Sequence, residues 1–263
     1  MASLTSETLV LKGNINHSVC PWCYPNITLE DLIDTAKQLG IGSVELLHPE
    51  QWSQVTTKGL TCAMAYASRI GLETGFNEPS LHKKLFEDYA TNIPKAADAG
   101  LKNIICFSGN RNGLNDNDGT ENCARGLEPV IKIAEKYKIT ICIELLNSKV
   151  DHPDYQCDHS SWGVKLCEKI GSESLKLLYD IYHMQIMEGD IISTIRKYQK
   201  YIAHYHTGGV PGRSEIDQTQ ELNYQAIMNC IVETGFKGFV AQEFIPLKDP
   251  VSSLIDAVRL CDV

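Results

Sequence analysis

Four acidic or imidazole side chains stand at or near the ends of successive apolar runs in the second half of the chain. They are Glu144 in ITICIELLN, Asp180 in LKLLYDIYH, His206 in IAHYHTGG and Glu243 in GFVAQEF. A carboxylate in an apolar strand is costly unless it is paired or bound to a metal. One such acid is commonly a helix cap or a solvated rim group, but four in succession point to a shared site. Three carboxylates and an imidazole converging from neighbouring strands would seat one divalent ion, Mg²⁺, Mn²⁺ or Zn²⁺, with ligand type leaving the choice among them open. His204 alternates with His206 along its strand, so both point to one face, and one of them can be a hydrogen-bonded core histidine. With a cation held between two glutamates, a carbonyl and its neighbouring hydroxyl can be bound together. One carboxylate then removes the C–H proton to give an enediolate, and the second returns it to the adjacent carbon or to the opposite face. The reaction is an aldose–ketose isomerisation in the first case and an epimerisation in the second.

The elements that must position these groups recur along the chain. An amphipathic segment, a turn and a compact apolar run repeat at 28–48, 85–109, 124–147, 162–183, 191–209 and 222–244. The amphipathic halves carry apolar residues at helical spacing, as in Leu32, Ile33, Ala36 and Leu39, and several end at a glycine C-cap: Gly40, Gly100, Gly171 and Gly235. The short runs, apolar on both faces, suit parallel strands covered by helices. A first strand in LVLKGNI (9–15) and a third in GLTCAMAY (59–66) bring the number to eight. Eight β–α repeats in about 250 residues predict a (β/α)₈ TIM barrel, α/β in class, forming one domain over 1–263 and closed by a helix at 250–261. A dinucleotide-binding sheet is disfavoured because no GxGxxG follows the first strand. In such barrels chemistry sits at the C-terminal strand ends, where the four residues fall.

The 263 residues carry 24 Lys and Arg against 33 Asp and Glu, a net charge of −9, which argues against a nucleic-acid partner. No apolar run approaches the roughly 20 residues that cross a bilayer. MASLTSETLVLKG does not read as a secretory signal, so the expected location is the cytoplasm. Many of the ten cysteines lie in apolar stretches and read as reduced, buried hydrophobes. CPWC (20–23) lacks a second pair for zinc and a thioredoxin-like setting; a structural or pocket-wall role is expected, with Trp22 offering an apolar face to a small substrate. The polar run at 109–119 is expected to be a mobile loop. A homo-oligomer is left open.

ELLN at 144–147, YDIYHMQ at 179–185, GDI at 189–191, PGR at 211–213 with ELNY at 221–224, and QEF at 242–244 resemble the hydroxypyruvate isomerase family of xylose isomerase-like barrels. The resemblance covers most of the chain and is densest from about 100 to 245. It implies that Glu144 and Glu243 are both acid/base pair and metal ligands, that Asp180 and His206 complete the coordination, and that His183 and Arg213 contact substrate oxygens. The expected reaction interconverts a small hydroxy-ketone and hydroxy-aldehyde, hydroxypyruvate and tartronate semialdehyde. A substrate carboxylate needs a cation besides the metal: Arg213 is the first candidate, since a guanidinium binds a carboxylate in two places, and Arg111 in SGNRNG is the second. The pattern departs at His206, where better-known hydroxypyruvate isomerases often carry Gln and ketose 3-epimerases carry His. A ketose 3-epimerase or another sugar isomerase is therefore the alternative. An apurinic endonuclease fits less well, because it needs more histidines and a basic groove, and a non-catalytic sugar-binding barrel would not need all four ligands.

Overall fold

In the computed structural model, residues 9–263 are described. The first eight residues of MASLTSETLVLKG, which carry much of the expectation about a leader, lie outside them. In chain order the elements are β1 Asn16–Val19, α1 Leu29–Gln38, β2 Ser43–Val44, α2 Trp52–Thr56, β3 Ala65–Tyr66, α3 His82–Asp98, β4 Asn103–Cys106, α4 Asp116–Tyr137 and β5 Thr140–Glu144. There follow α5 Ser160–Ile170, β6 Leu175–Asp180, α6 Ile181–Met187, α7 Ile191–Tyr198, β7 Ile202–Thr207, α8 Tyr224–Glu233, β8 Phe239–Gln242 and α9 Pro250–Cys261. All eight strands are parallel, in the order β2-β1-β8-β7-β6-β5-β4-β3. Bonds from Val44 N to Thr61 O, Leu46 N to Met64 O and Tyr66 N to Leu47 O join β2 to the approach of β3 and close the (β/α)₈ barrel.

Local chemistry sets the helix ends. Thr28 caps α1 by accepting from Asp31 N, Asn115 caps α4 through Asp118 N, and Asp249 caps α9 through Ser252 N ahead of Pro250. Gly40, Gly100, Gly171 and Gly235 all have positive φ, as helix-stop glycines require. Two cores result. The larger fills the space between sheet and helices, and a smaller one of Met64, Ile105, Cys142 and Leu178 plugs the barrel interior. Side chains alternate along a strand, so the residues two positions after Cys142 and Leu178 also face inward, one layer nearer the C-terminal mouth. Those residues are Glu144 and Asp180.

Several boundaries differ from expectation. The first strand is not 9–15 but Asn16–Val19, within NHSV. Its buried residues include His17 and Ser18, so polarity hid it, while Lys12 N and Asn14 Nδ2 instead tie the preceding stretch to Asp262 and the Val263 carbonyl. The third strand is only Ala65–Tyr66 of the expected 59–66. Residues 116–119 are the first turn of α4 rather than part of a loop. After Asp180 the chain enters α6 directly, so His183 is helical. All ten cysteines are free and buried.

Candidate metal and acid/base site

β5, β6, β7 and the residue after β8 deliver Glu144, Asp180, His206 and Glu243 to one place. One donor atom from each lies within 4.8 Å of the others, and all four residues are buried. His206 Nδ1 is 2.8 Å from Glu243 Oε2 and 3.4 Å from Glu144 Oε1. Yet Nδ1 makes no aligned hydrogen bond, although it is fully buried. On the other side of the ring, Nε2 lies 2.9 Å from Glu45 Oε1. A ring that donates Nε2–H to Glu45 turns Nδ1 to carboxylate oxygens, where a shared cation would take the place of its proton. Hard oxygen donors with one imidazole suit a divalent ion, so the residues present fit the expected metal.

Arg213 partly neutralises the cluster. Its Nη2 donates to Asp180 Oδ2 at 3.1 Å and to Glu243 Oε2, and its guanidinium stacks 5.2 Å from the rings of Trp22 and Tyr182. Its backbone is held in the left-handed region, φ 54°, by Arg213 N to Gly209 O and Ile245 N to Arg213 O. Trp22 sits at the site, but as more than an apolar wall: its Nε1 donates to Glu243 Oε1 at 2.8 Å. The CPWC stretch that carries it is a 3₁₀ turn whose two thiols are buried and pushed up by burial and by Glu243.

Burial works against charge throughout the cluster. It pushes Asp180 up to about 7 despite the pull of Arg213. In Glu243 burial is outweighed by His206 and Arg213, which hold the carboxyl well below its usual range. His206 is raised well above its usual value, burial being overcome by Glu243, Glu144 and Glu45. Burial, with Arg213 beside it, drives His183 well below its usual value, so that ring is neutral.

Both ring nitrogens of His183 meet donors. Nδ1 receives the backbone N–H of Asn147 at 3.1 Å and lies 2.7 Å from its Nδ2, while Asn147 Oδ1 is occupied by the amides of Val150 and Asp151. The Asn147 backbone N–H meets Nδ1 as an acceptor. Nε2 lies 2.9 Å from Arg213 Nη1, which can only donate, so Asn147 and Arg213 compete for the one ring lone pair of the neutral imidazole at the edge of the cluster.

Arg111 is not brought to this cluster. Its guanidinium is engaged by Asp158 Oδ1 at 3.0 Å, Asp116 Oδ1 at 3.4 Å and the Gln156 carbonyl, and it ties the loop after β4 to the loop after β5. Glu45 was missed by the sequence reading, although SVELLH shows the same signal as the others, an acid ending an apolar run. It is fully buried after the two-residue β2 and bonds both His204 and His206. His152, 5.3 Å from His183 between ring centres, was also missed. A cavity of about 650 Å³ opens elsewhere, lined by Glu215, Asp217, Tyr224 and Lys248 among others, and none of the strand-end acids borders it.

Parallel closure, a helix after each strand and a carboxylate cluster at the C-terminal mouth define a TIM barrel of the enzyme-bearing kind. The chain belongs to the xylose isomerase-like TIM barrel family, which it matches over residues 33–261. A Homo sapiens protein named putative hydroxypyruvate isomerase is 33% identical over 112 residues, 43% of this chain and 40% of that relative, so the match spans less than half of its length. Hydroxypyruvate isomerase of Escherichia coli strain K12 is 28% identical over 169 residues, 64% of this chain and 65% of the relative. Among solved structures, an AP endonuclease of family 2 from Brucella melitensis superposes with a TM-score of 0.83 over 91% of this chain and 97% of that one. At 21% identity that likeness shows the fold alone.

Proposed function

We propose that the chain is an isomerase of small hydroxy-carbonyl compounds, interconverting hydroxypyruvate and tartronate semialdehyde. The observation that carries this reading is the convergence of Glu144, Asp180, His206 and Glu243, with donor atoms within 4.8 Å. The names of the human and E. coli relatives support the substrate class. The four residues would hold one divalent ion, Mg²⁺, Mn²⁺ or Zn²⁺, which when bound supplies positive charge for the oxyanion that develops as the carbon is deprotonated.

The chain's own groups do the rest. One of the two glutamates removes a proton from the hydroxymethyl carbon, and the other returns a proton to the former carbonyl carbon. Both start ionised: the second glutamate takes the hydroxyl proton before delivering it to that carbon, and the first passes the proton it removed to the former carbonyl oxygen, so atoms and charge balance. Glu243 is the more tightly held, by Trp22, Arg213 and the His206 ring, whereas Glu144 Oε1 stands 3.4 Å from His206 Nδ1. We assign Glu144 as the initial base and Glu243 as the group that returns the proton. We assign His183 and Arg213, 2.9 Å apart between Nε2 and Nη1, to contact substrate oxygens, and the Arg213 guanidinium would exchange contacts within the cluster for the substrate carboxylate. Arg111, committed to Asp158 and Asp116, is left a supporting role in the loops. His206 keeps one specific alternative open, a ketose 3-epimerase using the same groups.

The test is a panel of hydroxypyruvate and C4 to C6 ketoses assayed with Mg²⁺, Mn²⁺ and Co²⁺, beside Glu144→Gln and Glu243→Gln. Hydroxypyruvate turnover that chelator abolishes, and that either substitution removes without unfolding the protein, is expected. Full activity of both variants on the best substrate would refute the mechanism, and turnover of ketoses alone would move the assignment to an epimerase.

A further inference from the structure

Glu45 lies outside the four-residue cluster, yet it is fully buried and touches its only imidazole. A buried carboxylate is retained only where donors compensate its lost hydration. Here two ring nitrogens point at the same oxygen: His204 Nε2 at 2.8 Å and His206 Nε2 at 2.9 Å from Glu45 Oε1. Both separations are hydrogen-bond lengths, and a carboxylate oxygen can only accept, so each ring presents Nε2–H to it. For His206 the consequence is chemical: with Nε2–H committed to Glu45, Nδ1 is the nitrogen turned to the acids, 2.8 Å from Glu243 Oε2 and 3.4 Å from Glu144 Oε1, and its proton is the one a bound cation would replace. His204 has no other aligned partner on its Nδ1 and packs edge-on against His206, with ring centres 5.2 Å apart. It therefore braces Glu45 from below.

We propose that Glu45 is a positioning residue that fixes His206 as the Nε2–H tautomer, with Nδ1 turned to the metal seat, and that His204 holds Glu45 in place for that task. The inference rests on the metal reading above and adds a second layer to it, supplied by β2, a strand that contributes nothing to the seat itself. Because the partner of a ligating ring fixes its orientation and basicity, losing it weakens metal binding by about 10- to 100-fold.

Glu45→Gln is the test variant, since it keeps the volume while its amide can donate to a ring nitrogen and so allow the other tautomer. Two measurements are made on the full chain: Zn²⁺ affinity by competition with a chromophoric chelator, and ¹⁵N-histidine NMR of the Zn²⁺-loaded wild type. The NMR does not depend on the variant's folding. Expected are an Nε2-protonated, Nδ1-ligated His206 and at least about a tenfold loss of Zn²⁺ affinity in Glu45→Gln. At saturating metal, kcat is expected to fall with KM for hydroxypyruvate unchanged. Unaltered Zn²⁺ affinity in a folded Glu45→Gln, or an Nδ1-protonated His206 in the loaded wild type, would overturn the proposal. A wild type that binds no Zn²⁺ would instead defeat the metal reading on which it rests, so the two failures are told apart.

Discussion

Glu243 is gripped from three sides, by the Trp22 indole, the Arg213 guanidinium and the His206 ring. Trp22 is the partner whose loss disturbs least, because it is half exposed and carries no charge. Trp22→Phe keeps the ring over Arg213 but removes the Nε1–H donor to a buried carboxylate, and a hydrogen bond to a charged group contributes about 1.5–3 kcal/mol. A fall in kcat/KM of at least about tenfold is expected, with little change in thermal stability, and steady-state kinetics on the best substrate reads it directly. At this scale the sequence was informative where an acid interrupts an apolar run, which is how Glu144, Asp180 and Glu243 stand out. It was misleading for Arg111, because a loop arginine looks the same whether it faces a substrate or Asp158. It was silent on Trp22 as a donor, since nothing in CPWC shows that the indole reaches a glutamate 221 residues away.

Among the elements, the loops after β7 and β8 are stitched together by Glu215. Its Oε1 accepts from Leu247 N, Lys248 N and Ser253 Oγ, each at 2.9 Å, just below the loop that presents Arg213. Burial raises its pKa, but the Lys248 amide and the other donors outweigh burial and lower it. A lowered folded pKa means the charged form is the stabilising one. The contribution is present above the unfolded carboxylate value of about 4.3 and is lost as pH falls through the lower folded value. Glu215→Gln is expected to cost about 1–2 kcal/mol in urea unfolding at pH 7, with the gap to wild type closing below about pH 4. A gap that is constant with pH would show that the charge is not what matters. Helix periodicity and stop glycines made most of the helices legible, and α9 falls where its apolar spacing and Pro250 place it. The short strands were harder. β1 is polar on its buried side, β2 and β3 have two residues each, and no periodicity can be read from so few positions.

For the whole molecule, closure of the barrel converts residues distant in sequence into one site, and Glu45 meets His206 across 161 residues. Such a site couples the metal to folding, because the unfolded chain does not hold the four donors together. Metal at 100 times its Kd adds about 2.7 kcal/mol, which in a chain of this size raises Tm by about 5–10 °C. Scanning calorimetry with and without EDTA should show that shift, and Glu144→Gln should lose most of it. No described helix is long and apolar enough to cross a membrane, and the net charge of −9 is ill suited to a phosphate backbone.

The most direct measurement is anomalous diffraction from crystals of the protein soaked in Mn²⁺. A single peak at the C-terminal mouth, about 2.0–2.3 Å from one atom each of Glu144, Asp180, His206 and Glu243, is the expected result. No peak at that position, or a peak held instead by Glu45, His204 and His206, would contradict the metal seat on which the proposed isomerase depends.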